Sequence, residues 1–228
     1  MSETLPVIAV LGGTGDLGTG LARRWAQAGY QVIIGSRTLD KAEAAASDLK
    51  ALMAERGVDS VNVQAMENVA AAEACDIAAM TVPFAHHTGT LNSVKDALKG
   101  KILIDVTVPL VPPKVARVQL PEQGSAGTIA QELLGEDVNV VSAFQNVAAH
   151  HLQEGQGLNC DVLVCGNKKD ARAEVIKLVE AAGMRGFHAG SIANSAATEA
   201  MTSLLIFINK KYKCHAGISI TGLADDEA

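Results

Sequence analysis

The sequence predicts an α/β fold: a Rossmann-type, doubly wound parallel sheet with a small C-terminal α/β extension. Three observations carry this. Short continuous apolar runs alternate with stretches of helical periodicity, the pattern of strands buried on both faces by crossover helices. The first apolar run leads straight into Gly13-Thr14-Gly15-Asp16-Leu17-Gly18 and then into a helix. The rhythm persists to Phe144 and changes beyond it, which divides the chain into a dinucleotide-type domain, 1–144, and a smaller unit, 145–228.

The elements follow in order. Residues 7–11 read as a buried strand. Residues 16–28 read as a helix, because Leu17, Leu21 and Trp25 recur every four residues and Gly29 is placed to close it. A second strand spans 31–34. The next helix, roughly 41–55, has an apolar face of Ala42, Ala45, Ala46, Leu49, Leu52 and Met53. Strands are expected at 61–65, 76–82 and 101–106, with a helix near 91–98 before the last. The stretch PLVPPKVARVQLPEQG is a loop by its prolines, Ser125 caps a helix running to Leu134, and 138–144 is a sixth strand. The C-terminal unit has a strand at 161–164, a helix at 171–182, a short strand at 186–188 and a long helix at 194–212. That helix puts Ala197, Met201, Leu204, Leu205 and Ile208 on one face, and Lys210, Lys211 and Lys213 at the end where cations suit the helix dipole. The final ADDEA is polar and is expected to fray.

Composition excludes some classes of function. Of the 228 residues, 48% are hydrophobic and 19% charged, so a core can form and there is no signature of disorder. The net charge of -6 argues against nucleic-acid binding, which favours a basic face. No basic leader precedes the first apolar run, and no run is long enough to span a bilayer; a cytoplasmic protein without membrane contact is expected. Cys75, Cys160, Cys165 and Cys214 form no C-x-x-C pair and are expected as reduced thiols.

The glycine motif points to a dinucleotide. Gly13 permits a tight turn, Gly15 lets backbone amides approach a pyrophosphate, and Gly18 lets the helix lie close to the strand. At the end of the second strand an NAD-binding chain carries an acidic residue for the ribose 2′-OH. Here Ser36 and Arg37 stand in its place, with Lys41 one turn on, so a 2′-phosphate is expected and NADP is preferred to NAD. Candidate catalytic side chains are scarce. His86-His87 and His150-His151 are adjacent pairs that point different ways and read as solvated or packing residues, without a metal site. Asp105 and Asn146 lie at the carboxyl edge of the sheet, where ligands bind in this fold, yet no acid–base set surrounds them.

Several stretches, in this order, carry a family resemblance: AVLGGTGDLGTGLA, VIIGSRTLDKAEAAA, DIAAMTVPF, GKILIDVTVPL, GSAGTIAQELL, VVSAFQNV, CDVLVCGN, AGSIANS and LLIFINKKYKCHAGISITGL. The chain resembles the NADPH-dependent reductases of the 8-hydroxy-5-deazaflavin coenzyme. The resemblance implies direct hydride transfer between NADP(H) and a deazaflavin co-substrate. The protein then orients two rings, and the redox chemistry belongs to them. It implies that Thr14, Gly15, Asp16 and Leu17 contact the NADP phosphates and that Ser36, Arg37 and Lys41 hold the 2′-phosphate. Thr81, Val82, Pro83 and Phe84 border the nicotinamide, and Val108, Pro109, Gln145, Val147, Asn194, Ala216 and Gly217 shape the deazaflavin pocket. Some members have His where this chain has Gln145. Two other readings fit the sparse catalytic residues: a reductase of another acceptor (flavin, quinone or imine), and a non-catalytic NADP(H) sensor. A homodimer is expected, since the last long helix offers apolar residues.

Overall fold

The structure is a computed structural model that describes residues 4–58, 60–154 and 158–222. The expected polar tail lies outside the described residues. In chain order the elements are β1 (Ile8–Leu11), α1 (Asp16–Gln27), β2 (Val32–Ser36), α2 (Leu39–Glu55), β3 (Val63–Glu67), α3 (Asn68–Ala74), β4 (Ile77–Met80) and α4 (Phe84–Val94). After a 3-10 turn at Asp96–Leu98 come β5 (Ile102–Asp105), α5 (Ala126–Leu134), β6 (Asn139–Ser142), α6 (Ala149–Glu154), β7 (Asp161–Gly166), α7 (Lys169–Ala181) and β8 (Arg185–His188). A second 3-10 turn, Ile192–Asn194, leads into α8 (Ser195–Tyr212). The strands form one sheet ordered β3-β2-β1-β4-β5-β6-β7-β8. The first six strands are parallel; β7 joins β6 antiparallel, and β8 is parallel to β7.

Alternation along each strand builds two cores. Ile8, Val10, Val32, Ile34, Ile77 and Ala79 face one side, where Leu21, Trp25, Leu49, Met53 and Leu178 of α1, α2 and α7 cover them. Ala9, Leu11, Ile33, Ala78 and Met80 face the other, under Ala71, Leu91, Ala130 and Leu134 of α3, α4 and α5. Both faces of the central strands are therefore dry, which is why they read as unbroken apolar runs. Trp25 anchors the first side. It is fully buried, its Nε1–H donates to the Leu178 carbonyl at 2.9 Å, and its ring meets Phe144 edge-on at 5.9 Å. No helix among the described residues is long and apolar enough to cross a membrane.

Three elements depart from expectation. The helices α3 and α6 fall where none was expected, and α4 begins at Phe84, seven residues before the expected 91. All three are short or rich in alanine and polar residues, so no apolar stripe announces them. In α8 the polar face is the covered one. Its buried residues are Ser195, Thr198, Glu199 and Ser203, whereas Leu204 and Phe207 are 55% and 59% exposed. Polar groups decide this. Glu199 accepts hydrogen bonds from the amides of Ala126 and Gly127 at 2.7 and 3.0 Å, at the start of α5, and the Ser195 hydroxyl donates to Ser125 Oγ at 2.7 Å. Small side chains on this face let the two helices approach closely, and the apolar face turns outward.

Glu199 is 1% exposed, and burial pushes its carboxyl up to about 8, against the pull of the two amide donors and with nearby Asp105 adding to the rise. The folded state thus holds the proton more tightly than the unfolded chain, whose carboxyl titrates near 4.5. Its contribution to stability is full below that pH and is lost as pH rises through about 8. Thermal melting is expected to fall by several degrees between pH 5 and 9. In Glu199→Gln that part of the slope disappears.

Candidate dinucleotide site

The site starts at the turn between β1 and α1. The chain reverses through Gly12, at φ 69°. Gly13 is required for space: a Cβ there would lie 2.7 Å from the Val10 carbonyl oxygen. Gly18 is required in the same way, with a Cβ 2.7 Å from the Gly13 Cα and 2.9 Å from Thr81 Oγ1. Gly15 differs, because a Cβ there would meet nothing within 4 Å. The fold does not need glycine at this position; the open backbone at the start of α1, uncapped by any side chain, suits a close-lying anion. Neighbouring elements pin the turn. The Gly13 amide donates to the Gly35 carbonyl at 2.9 Å, the Gly12 amide to Asn68 Oδ1 at 3.1 Å, and the Thr81 hydroxyl to the Leu11 carbonyl at 2.9 Å.

Beside this turn a cavity of about 360 Å³ opens at the carboxyl edge of β1, β2 and β4. It brings together Thr14, Ser36, Arg37, Lys41, Val82 and Pro83 from the expected set, and adds Gly12, Thr38, Asn68, His86 and Thr90. Its lining carries Arg37 and Lys41 and no carboxylate. Asn68 is the addition that the sequence hid: a 7%-exposed residue at the start of an unexpected helix, holding the Gly12 amide. Asp16, Leu17, Thr81 and Phe84 do not line this cavity. The Asp16 carbonyl accepts from Gln153 Nε2, Leu17 packs on the core, Thr81 ties β4 to β1, and Phe84 opens α4.

Beneath the α4 end of the cavity lies a buried pair. His87, fully buried, places Nε2 2.7 Å from Asp105 Oδ2, and its ring stacks on Phe84 at 6.2 Å. Asp105 Oδ1 accepts the Thr107 amide at 3.0 Å, while the Asp105 carbonyl accepts Gln145 Nε2 at 2.7 Å. One residue at the end of β5 thus joins α4, the segment carrying Val108 and Pro109, and the segment after β6. The adjacent His86 and His87 point different ways, as expected: the fold buries His87 and exposes His86.

The residues expected on the acceptor side are held in separate ways. Phe144, at φ 70°, redirects the chain into Gln145, Asn146 and Val147. A bulky residue there costs about 1–3 kcal/mol, and the edge-on contact with Trp25 helps hold it. Gln145 Nε2 is engaged by the Asp105 carbonyl and Ser142 Oγ, so it serves the scaffold. Gly217 packs on Cys160, whose Sγ would lie 2.7 Å from a Cβ there, and the Ala216 amide donates to Asn209 Oδ1 at 2.7 Å. Asn194 is engaged elsewhere: its Nδ2 donates to the Ala189 carbonyl after β8. The tail bearing Ala216 and Gly217 is fastened to β7 by Asp161, which takes a two-point contact from Arg185 at 2.8 Å and the Ile220 amide at 2.5 Å. His215 brings its ring within 4.7 and 5.3 Å of His150 and His151, yet no group of three metal-ligating residues among those described could hold a metal ion. All four cysteines are free thiols, as expected.

The glycines separate folding from binding. Gly18→Ala overpacks the turn and is expected to cost about 1–3 kcal/mol of stability by chemical denaturation. Gly15→Ala, at φ -89°, is expected to melt at or slightly above the parent temperature while losing at least tenfold in dinucleotide affinity by fluorescence titration.

Comparison with known proteins places this geometry in a family. Residues 7–109 match the family described as NADP oxidoreductase coenzyme F420-dependent. The chain is 40% identical to the F420-dependent NADP reductase of Methanocaldococcus jannaschii, over 95% of this chain and 98% of that one. It is 41% identical to the enzyme of the same name from Methanothermobacter marburgensis, over 96% and 99%. A crystal structure of an Arthrobacter sp. FB24 protein superposes with a TM-score of 0.76 at 24% identity, covering 95% of this chain and all of that one, which shows the shared fold. Near-complete coverage at this identity shows that the chain belongs to the F420-dependent NADP reductase family.

Proposed function

We propose that the protein transfers a hydride directly between NADP(H) and the 8-hydroxy-5-deazaflavin coenzyme F420. The observation that carries the reading, beside family membership, is the cavity at the β2 end: a hydroxyl, a guanidinium and an ammonium, with no carboxylate in the lining. A carboxylate would repel a 2′-phosphate, whereas these groups hold it by charge-assisted hydrogen bonds. The residues fit NADP on a second ground, the space over Gly15 that the fold itself leaves open. Thr14, Gly15, Asp16 and Leu17 would hold the phosphates, and Thr81, Val82, Pro83 and Phe84 would border the nicotinamide.

When bound, the two coenzymes supply the hydride donor and acceptor. The chain's own residues bind, orient and exclude water. The His87–Asp105 pair keeps the start of α4 and the 107–109 segment in fixed relation, so both walls of the crevice rest on one buried carboxylate. Val108, Pro109, Gln145, Val147, Asn194, Ala216 and Gly217 would shape the acceptor side, with unit 145–228 closing it. The engagement of Gln145 by the scaffold is in keeping with a reaction that requires no protein acid or base. A cytoplasmic location and a homodimer belong to the same reading; the outward Leu204, Phe207 and Tyr212, the last 71% exposed, support a covered α8.

Mixing the protein with NADPH and oxidised F420 is expected to bleach the deazaflavin absorbance, with NADH and a plain flavin far slower. Binding of NADPH without bleaching would move the reading to another acceptor or to a sensor. Arg37→Ala and Lys41→Ala are each expected to raise the KM for NADPH about tenfold, with kcat and the weak NADH rate unchanged.

A further inference from the structure

Asn68 offers the dinucleotide cavity a donor that the fold does not consume. Its Oδ1 accepts the Gly12 amide at 3.1 Å, which fixes the orientation of the side-chain amide, since the nitrogen end could not face that donor. Nδ2 carries two N–H groups and donates to no described residue. Nor is it sealed from solvent, in contrast to His87 Nδ1 under α4. Asn68 is 7% exposed and lines the cavity of about 360 Å³, so the open end of its side chain faces the space where Thr14, Ser36, Arg37 and Lys41 meet.

The surroundings of the amide decide which part of a dinucleotide lies there. Ser36 pairs with Glu67 in the β2–β3 ladder, and Asn68 follows directly. Its Oδ1 lies so near Gly35 that a Cβ on that glycine would come within 2.9 Å of it. The amide therefore sits between the first turn and the residue before Ser36, at the end of the cavity that carries the hydroxyl, the guanidinium and the ammonium. The residue type is informative as well. For the turn alone an aspartate would serve, because a carboxylate accepts a backbone N–H more strongly than an amide oxygen does. Asparagine adds a donor and keeps a negative charge out of a lining that has none. A neutral donor beside two cations suits a phosphorylated ribose. Resting on the NADP reading, we propose that Asn68 is a specificity-determining residue: Nδ2 donates to the edge of the adenosine ribose that bears the 2′-phosphate, while Oδ1 holds the turn beneath the pyrophosphate.

Adenosine 2′,5′-bisphosphate and 5′-AMP, which differ only in the 2′-phosphate, are the probes, titrated calorimetrically into the full chain. Asn68→Asp keeps an acceptor for the Gly12 amide and replaces the donor by a negative charge. It is expected to melt within about 2 °C of the parent. It is expected to weaken the bisphosphate about thirtyfold and to leave 5′-AMP within about threefold, because a carboxylate accepts from a free ribose hydroxyl and repels a phosphate. The KM for NADPH rises in step with the bisphosphate Kd. Asn68→Ala strips the turn of its acceptor and is expected to melt several degrees lower. On the unmodified chain, the Asn68 side-chain amide signals in nitrogen-15 NMR, identified by their absence from Asn68→Ala, are expected to shift with the bisphosphate and much less with 5′-AMP. Equal bisphosphate affinity in Asn68→Asp and the parent, or signals that do not move, would overturn the proposal and leave the NADP reading standing. So would an equal loss of both probes in Asn68→Asp, the mark of a residue that only supports the turn. A parent chain that binds the two probes alike would overturn the NADP reading together with the proposal.

Discussion

Between Gly18 and the backbone of Gly13 there is no room for a methyl group: a Cβ would come within 2.7 Å of the Gly13 Cα and 2.9 Å of the Thr81 hydroxyl oxygen. That contact seats the first turn of α1 directly over the end of β1. From it follow the direction of the uncapped amides and the crevice where strand order reverses between β1 and β4. Thr81 shares in the contact and donates to the Leu11 carbonyl, so β4 is locked to the same turn. A ligand seated on this turn would meet a rigid backbone that fixes its orientation.

Asp105 is the counterpart on the far side of the crevice. Its carboxylate faces His87 of α4 and the Thr107 amide, and its carbonyl takes the Gln145 amide. It is 1% exposed, so these bonds operate with little competition from water and hold three segments to one strand end. The nearby Glu199 carboxyl, pushed up by burial and by Asp105 itself, ties α8 to the start of α5. Buried carboxylates here act as joints between elements. This is consistent with a protein whose task is positioning and whose redox chemistry arrives with the coenzymes.

How much of this was legible depended on how each element is stabilised. Strands β1, β2, β4, β5 and β6 announce themselves because both faces are apolar. The helices α1 and α2 do so because each presents one apolar stripe, Leu21 and Trp25 in the first, Leu49 and Met53 in the second. By contrast α3, of sequence NVAAAEA, buries only Asn68 and two alanines, and so leaves no stripe. For α8 the apolar pattern marks the helix but not the side that is covered. Its apolar face is real, but the hydrogen bonds that Glu199 accepts from the Ala126 and Gly127 amides, and that Ser195 donates to Ser125, decide which side is covered. The Gly-x-Gly-x-x-Gly spacing identified the turn, while the left-handed residue, Gly12, stands outside that motif; only the path of the chain shows where the reversal occurs.

By itself the sequence determined the parallel α/β class, the dinucleotide turn and the Ser36-Arg37-Lys41 set. All of these are local in the chain, written within one strand–turn–helix unit or at one strand end. Tertiary structure alone decided that Asn68 holds the first turn, that His87 meets Asp105, that Glu199 sets which face of α8 is covered, and that Arg23 lies buried. Each of these joins residues from different elements, or depends on how two helices pack. No periodicity or spacing encodes such meetings; they exist only once the sheet has brought its edges and its helices together.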